Sequence, residues 1–221
     1  MTPLAGRTAL VTGGAKRVGA AIASAIEAAG ARVIVTSRSA ALSFDLSTRS
    51  GVESLLAALP PIDLLVNAAA NFVREPFGTI TWETFDVTFA LNARAPLFLS
   101  QALGLAMKER GYGRIVNIAD IAATIPWPAY LPYSMSKAAI VALTRGLAKA
   151  LAPNVLVNAV APGPVLLPDG YDETLAKQAI ETTLLKRTGK PEDVAEAVVF
   201  LLSSDYITGQ TVAVDGGRLL R

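Results

Sequence analysis

Tyr133 and Lys137 stand four residues apart in Tyr133-Ser134-Met135-Ser136-Lys137, a spacing that puts both side chains on one face of a helix. A tyrosine of ordinary pKa, about 10, is a sluggish acid or base at neutral pH, and a neighbouring ammonium stabilises its phenolate. The pair matters because the chain contains no histidine and no cysteine. Ser-His-Asp hydrolysis, HExxH metalloproteolysis, histidine-based dehydrogenation, thiol nucleophiles, thiolate metal sites and disulfides are all excluded. Proton transfer falls to Tyr, Lys, Asp, Glu, hydroxyls or water. A second constellation is the turn Thr12-Gly13-Gly14-Ala15-Lys16-Arg17-Val18-Gly19. Glycines let a backbone turn sharply against a pyrophosphate, and a helix starting there points N–H groups at it. A plain tight turn is the alternative, and a strand before with a helix after favours the dinucleotide. Third, the next strand ends Thr36-Ser37-Arg38-Ser39 without the acid that usually holds an NAD ribose. An arginine between hydroxyls suits a 2′-phosphate through charge-assisted hydrogen bonds, so NADP(H) is the expected cofactor, against a merely solvated arginine.

The elements that must position these residues alternate. Short β-branched runs at Thr8–Thr12, Arg32–Thr36, Ile62–Val66, Arg114–Ile118, Val155–Val160 and Thr211–Val214 read as buried strands. Between them, helical patterns cover Val18–Ala29, Gly51–Ala58, Trp82–Lys108, Tyr133–Leu151, Tyr171–Leu184 and Pro191–Leu202. The pattern predicts an α/β fold: a Rossmann-type, doubly wound parallel sheet of six to seven strands, helices on both faces, in a single domain over 1–221. From Arg38 to Asp45 only six residues intervene, too few for a helical crossover. Any strand at Ala41–Phe44 must be a rudimentary edge.

Composition narrows the partners. With 52% hydrophobic residues and 20 basic against 18 acidic side chains, the chain is globular and carries no basic face for nucleic acid. No secretion signal is apparent, and no run of 18 uncharged apolar residues occurs. A cytoplasmic protein acting on a small molecule, without metal, membrane or nucleic acid, is expected.

Several further segments fall in one order: Asp45, Val66-Asn67-Ala68-Ala69-Ala70, Asn92, Ile118-Ala119-Asp120, Ala161-Pro162-Gly163, Ile207-Thr208-Gly209-Gln210 and Val214-Asp215-Gly216-Gly217. With the glycine turn and the Tyr-Lys pair they make a chain that resembles the short-chain dehydrogenase/reductase family over essentially its whole length. Within it, the sequence looks most like the pteridine reductases. Arg17 stands where most of the family has glycine, Asp120 where most have the catalytic serine, and Phe72 matches the aromatic that sandwiches a pterin in those enzymes.

The resemblance implies roles. Tyr133 would donate the proton, Lys137 would lower its pKa and hold the nicotinamide ribose, and Asn92 would anchor a water relay. Asp120 would orient Tyr133 or the substrate, or supply protons itself. Gly13, Lys16, Arg17, Val18, Gly19, Asn67, Ala68 and Ala69 would line the cofactor. Ser37, Arg38 and Ser39 would take its 2′-phosphate, Asp45 and Leu46 its adenine, and Pro162 and Gly163 its nicotinamide amide. Arg17, Phe72, Asp120 and Tyr133 would touch substrate. The chain departs from the family at Ala68 and Ala70, where asparagine and glycine are usual, and in a short lid segment at Leu166–Glu173. The implied activity is NADPH-dependent reduction of a dihydropterin, dihydrofolate or related cyclic imine or carbonyl. The alternatives are a general carbonyl or 3-ketoacyl reductase, oxidation of the glucose-dehydrogenase kind, or a cofactor-binding protein without turnover. The resemblance also implies a homotetramer, with the helices Trp82–Lys108 and Tyr133–Leu151 meeting their symmetry mates.

Overall fold

The strands alternate two apolar faces, and the core divides accordingly. In a computed structural model describing residues 3–166 and 173–221, six parallel strands form one sheet in the order β2-β1-β3-β4-β5-β6. They are β1 (Thr8–Thr12), β2 (Arg32–Thr36), β3 (Leu64–Asn67), β4 (Gly113–Ile118), β5 (Val155–Pro162) and β6 (Thr211–Val214). Ala9, Val11, Leu64, Val66 and Val116 face one way, against helices α1 (Arg17–Ala28) and α7 (Pro191–Ser203). Leu10, Leu65 and Ile115, one residue out of phase, face the other way, towards α2 (Arg49–Ala58), α4 (Ala95–Glu109) and α5 (Leu131–Leu151). That two-residue period with apolar groups on both faces is what a fully covered parallel sheet requires. The short α3 (Trp82–Phe89) and α6 (Glu173–Glu181) complete the helices among the described residues.

The strand order fixes where a ligand can sit. The chain moves outward from β1 to β2, then returns to place β3 on the other side of β1. The crevice at the carboxyl ends of β1 and β3 is therefore the topological switch point, the usual binding place in such sheets. Between β2 and Leu42 there is no helix: Thr36 and Leu42 form a single parallel bridge, and Thr36 Oγ1 donates to Leu42 O at 2.9 Å. The rudimentary edge expected there is a single bridge, and the sheet has six strands.

Two expected helices are corrected. Trp82–Lys108 is interrupted at Ala90–Arg94 by a wider turn in which Ala95 N–H reaches back five residues to Ala90 O. Pro96 is the physical reason, since it has no N–H to close the ordinary bond to the carbonyl of Asn92. Asn92 thus lies inside the wide turn. Of Tyr171–Leu184, the first two residues lie outside the described residues, and α6 stops at Glu181. Leu184 and Leu185 instead turn their N–H groups to Gly216 O, at 2.9 and 3.2 Å.

Candidate active site

Tyr133 and Lys137 enter the crevice from the first turns of α5, where burial leaves them 7% and 4% exposed. Asp120 comes from the loop after β4. Its Oδ1 accepts the Ala122 N–H at 2.8 Å, which caps the short turn Ile121–Ala123 and holds the carboxyl in place. Tyr133 donates its hydroxyl to Asp120 Oδ2 at 2.7 Å. Lys137 Nζ donates to Ile118 O at 2.8 Å and sits 5.6 Å from the Tyr133 ring centre. Burial dominates all three titrations. It raises Asp120 above the ordinary carboxylate value, against the opposing pull of the Ala122 N–H, Tyr133, Lys137 and Arg218. It lifts Tyr133 well above its ordinary value, with Asp120 adding to the rise. It brings Lys137 down to about 8. The tyrosine is therefore a protonated donor at neutral pH, and its proton already points along a hydrogen bond. Burial and the Asp120 carboxyl raise the tyrosine, whereas the resemblance implies that Lys137 lowers it.

Asn92 is buried beneath this pair. Its side chain accepts Asn71 N–H at 2.9 Å and donates to Asn71 O at 3.1 Å and to Ser136 Oγ at 3.1 Å. Ser136 lies between Tyr133 and Lys137 on α5, so the wide turn is tied to that helix.

The same crevice continues into a cleft of about 1000 Å³. Of the expected cofactor residues, Gly13, Lys16, Arg17, Val18, Gly19, Ser37, Arg38, Ser39, Asp45, Leu46, Ala68, Ala69, Pro162 and Gly163 all line it, together with Asp120, Tyr133 and Lys137. The glycine turn is packed so closely that side chains are shut out. A Cβ on Gly19 would lie 2.2 Å from Gly13 O, and one on Gly13 would lie 2.8 Å from Ala69 Cα. Thr12 Oγ1 accepts the N–H groups of Ala68 and Ala69 at 3.0 and 3.1 Å, binding the ends of β1 and β3 together. Arg17 adopts φ +53°, a left-handed conformation that costs a non-glycine residue about 1–2 kcal/mol. That explains why glycine is usual there, and the arginine reaches Leu166 O at 3.4 Å across the mouth. At the far end, Asp45 accepts the Ser47 hydroxyl and N–H at 2.7 and 2.9 Å, which hold its carboxyl below the ordinary value. Arg38, exposed between Ser37 and Ser39, is the cation at this end. A cradle closed to side chains, a helix start and a terminal arginine are what a phosphorylated dinucleotide needs.

Two placements differ from expectation. The Asn67 side chain does not line the cleft; it lies below it, donating to Asn117 Oδ1 at 2.8 Å and Ser100 Oγ at 3.1 Å, where it ties β3 to β4 and α4. Phe72 lies outside the lining too. It stacks on Tyr130 with ring centres 4.4 Å apart and meets the Tyr133 ring edge-on at 4.7 Å, so Tyr130 covers one of its faces. Sequence reasoning missed this cluster, which Trp127 completes, and missed Arg218 on its outer side. The aromatic run between Asp120 and Tyr133 was the available signal. The core of the expected lid, residues 167–172, lies outside the described residues.

A six-stranded Rossmann-type sheet with this Tyr-Lys helix and glycine cradle defines a nicotinamide-dependent oxidoreductase scaffold, and comparison with known proteins agrees. Residues 13–218 match a family model described as Enoyl-(Acyl carrier protein) reductase. L-xylulose reductase of Bos taurus is 37% identical over 238 aligned positions, covering 98% of each chain. Carbonyl reductase [NADPH] 2 of Sus scrofa is 34% identical over 236, covering 97% of each. Among solved structures, a protein from Beutenbergia cavernae assigned as an NAD(P)-dependent gluconate 5-dehydrogenase, with NADP at low occupancy, superposes with TM-score 0.94 at 34% identity. That match covers 99% of this chain and 98% of the other. The chain belongs to the short-chain dehydrogenase/reductase family and is an oxidoreductase.

Proposed function

We propose that this protein is an NADP(H)-dependent carbonyl reductase acting on small polar ketones, aldehydes and ketoses. The observation that carries the reading is the buried Tyr133–Asp120 hydrogen bond at the inner end of a cleft whose outer end holds Ser37-Arg38-Ser39. The NADP bound at low occupancy in the Beutenbergia structure and the NADPH in the porcine reductase's name support the same cofactor here. When bound, NADPH supplies the hydride. The chain does the rest. Tyr133 gives its hydroxyl proton to the carbonyl oxygen as negative charge develops there. Asp120 holds that hydroxyl in place and, when protonated, returns a proton to the tyrosine oxygen. Lys137, brought down to about 8 by burial, holds a proton it can exchange at mildly alkaline pH. Asn92, Asn71 and Ser136 keep the catalytic turn of α5 in register.

The relatives bearing xylulose, carbonyl and gluconate names favour this reading over a pteridine reductase. Asp120 in the usual serine position favours the pterin reading, while Phe72 has one face covered by Tyr130. The active form is a homotetramer built first on α4 and α5. Leu97, Phe98 and Leu105 support this, forming an exposed apolar stripe along α4, with Met135 exposed on α5. NADPH oxidation with L-xylulose, a diketone and dihydrobiopterin, run side by side, tests the assignment. Turnover of dihydrobiopterin alone would overturn it.

A further inference from the structure

The C-terminal turn carries a cation to the outer side of the aromatic cluster beside Tyr133. β6 ends at Val214, whose carbonyl accepts the Gly163 N–H at 3.0 Å. A Cβ on Gly163 would lie 2.7 Å from Asp215 Cα, so the turn abuts the strand end that lines the cleft. Asp215 then fixes the turn, accepting the N–H groups of Gly217 and Leu219 at 2.9 and 2.8 Å. Gly216 and Gly217, at φ +62° and +79°, make the left-handed bend that aims the next residue inward.

That residue is Arg218. Its guanidinium lies 5.3 Å from the centre of the Trp127 ring. Trp127 is 6.2 Å from Phe72, and Phe72 is 4.7 Å from Tyr133. The positive charge is felt at Asp120, the hydrogen-bond partner of Tyr133. Arg218 is half-buried, yet among the described residues no carboxylate pairs with it and its side chain makes no hydrogen bond. Asp215, the nearest acid in sequence, is used on backbone N–H groups. Stacking on an aromatic face orients a guanidinium but leaves its five N–H donors open. A partly desolvated cation binds an anion more strongly than one in open water. The fork of donors fits the two oxygens of a carboxylate, and one positive charge matches one negative charge.

We propose that Arg218 is a specificity-determining residue that binds a carboxylate at the far end of the substrate, so that the preferred substrates are oxo acids. The proposal rests on the carbonyl-reductase reading and names its substrate class. The test uses methyl-ketone oxo acids of graded chain length, their neutral primary amides and a phosphorylated ketone, with full-length wild type, Arg218→Gln and Arg218→Lys. The best oxo acid should exceed its amide in kcat/KM. Arg218→Gln should raise the KM for the acid roughly 10- to 100-fold, with kcat changed little and the amide unaffected. Arg218→Lys should recover part of the loss. Equal use of acid and amide by wild type, equal losses on both, or preference for the phosphorylated ketone would overturn the carboxylate assignment.

A binding readout separates this from the parent reading. In a Trp82→Phe background, which leaves Trp127 as the single indole, a saturated carboxylate of matching length is titrated against NADP⁺-loaded protein. A saturable change in Trp127 fluorescence that Arg218→Gln abolishes supports the anion site even if no carbonyl is reduced, an outcome that would sink only the reductase reading. Reduction of neutral ketones without any such response would sink the anion site and leave the reductase standing.

Discussion

Replacing Tyr133 by phenylalanine removes one oxygen from a buried site and nothing else. That oxygen donates to Asp120 Oδ2 at 2.7 Å. Two effects follow and can be measured separately. A general acid contributes about 10²–10⁴-fold, so kcat for ketone reduction should fall by that order, equivalent to about 2.7–5.5 kcal/mol in the transition state. The second effect is on folding. A hydrogen bond to a carboxylate contributes about 1.5–3 kcal/mol, and its loss leaves Asp120 buried with only the Ala122 N–H. The carboxyl, already raised by burial, then rises further and neutralises itself, which caps the cost near the lower end of that range. For a chain of this size about 1.5 kcal/mol lowers Tm by roughly 3–6 °C. A double-mutant cycle with Asp120→Asn, read by thermal melts, isolates the coupling, while NADPH affinity measured by fluorescence should stay within about 2-fold. Loss of less than 10-fold in kcat would refute Tyr133 as the donor. Additive effects of the two substitutions on Tm would refute the hydrogen bond as a stabilising contact.

At the other end of the cleft, Arg38→Ala should raise the NADPH dissociation constant roughly 10-fold or more and leave NADH little changed. Equal losses would contradict a 2′-phosphate contact. Gly19→Ala places a methyl group 2.2 Å from Gly13 O, with no flexible neighbour to yield, so both cofactors should lose binding by equilibrium titration while the fold persists by circular dichroism. Burial keeps Asp120 protonated to higher pH than an ordinary carboxylate, so kcat/KM should begin to fall as pH rises through that raised value, and Asp120→Ser should remove this limb. Lys137 loses its proton near pH 8 in the folded chain and near 10.4 when unfolded, so below pH 8 the full cost of burying its charge is present, and it is relieved as pH rises between those values. Cofactor-free Lys137→Met should accordingly melt several degrees higher than wild type at pH 7, with the gap closing by pH 10; an unchanged gap would contradict the lowered pKa.

Much of this arrangement was legible because it depends on local pattern. The alternation that makes Leu10 face one core and Val11 the other is written in consecutive residues, as is the glycine turn between β1 and α1. Tyr133 and Lys137 need only a helix to meet, and Asp120 needed only a family position. Features that depend on a missing donor or on distant packing were not legible in the same way. Pro96 was visible, yet its effect on the carbonyl four residues earlier, which opens the wide turn around Asn92, was not read. Asn67 looked like a cleft residue because its segment borders the cleft, but its side chain finds Asn117 and Ser100, fifty and thirty-three residues away. Phe72 matched an aromatic position, and only the folded chain shows Tyr130 occupying its face. Arg218 lies ninety-eight residues from Asp120 in sequence, so its approach to the site depends on the β5–β6 pairing and the double-glycine bend.

On the proposed reading, Tyr133 and Asp120 serve NADPH-dependent reduction of a carbonyl group. Steady-state NADPH oxidation by wild type and Tyr133→Phe, with identification of the product alcohol by mass, tests it most directly. The expected result is stoichiometric alcohol from a ketose or oxo acid, far slower use of NADH, and a drop of about 10²–10⁴-fold in the variant at unchanged NADPH affinity. Turnover confined to dihydropterins, or alcohol formed equally well without the Tyr133 hydroxyl, would contradict it.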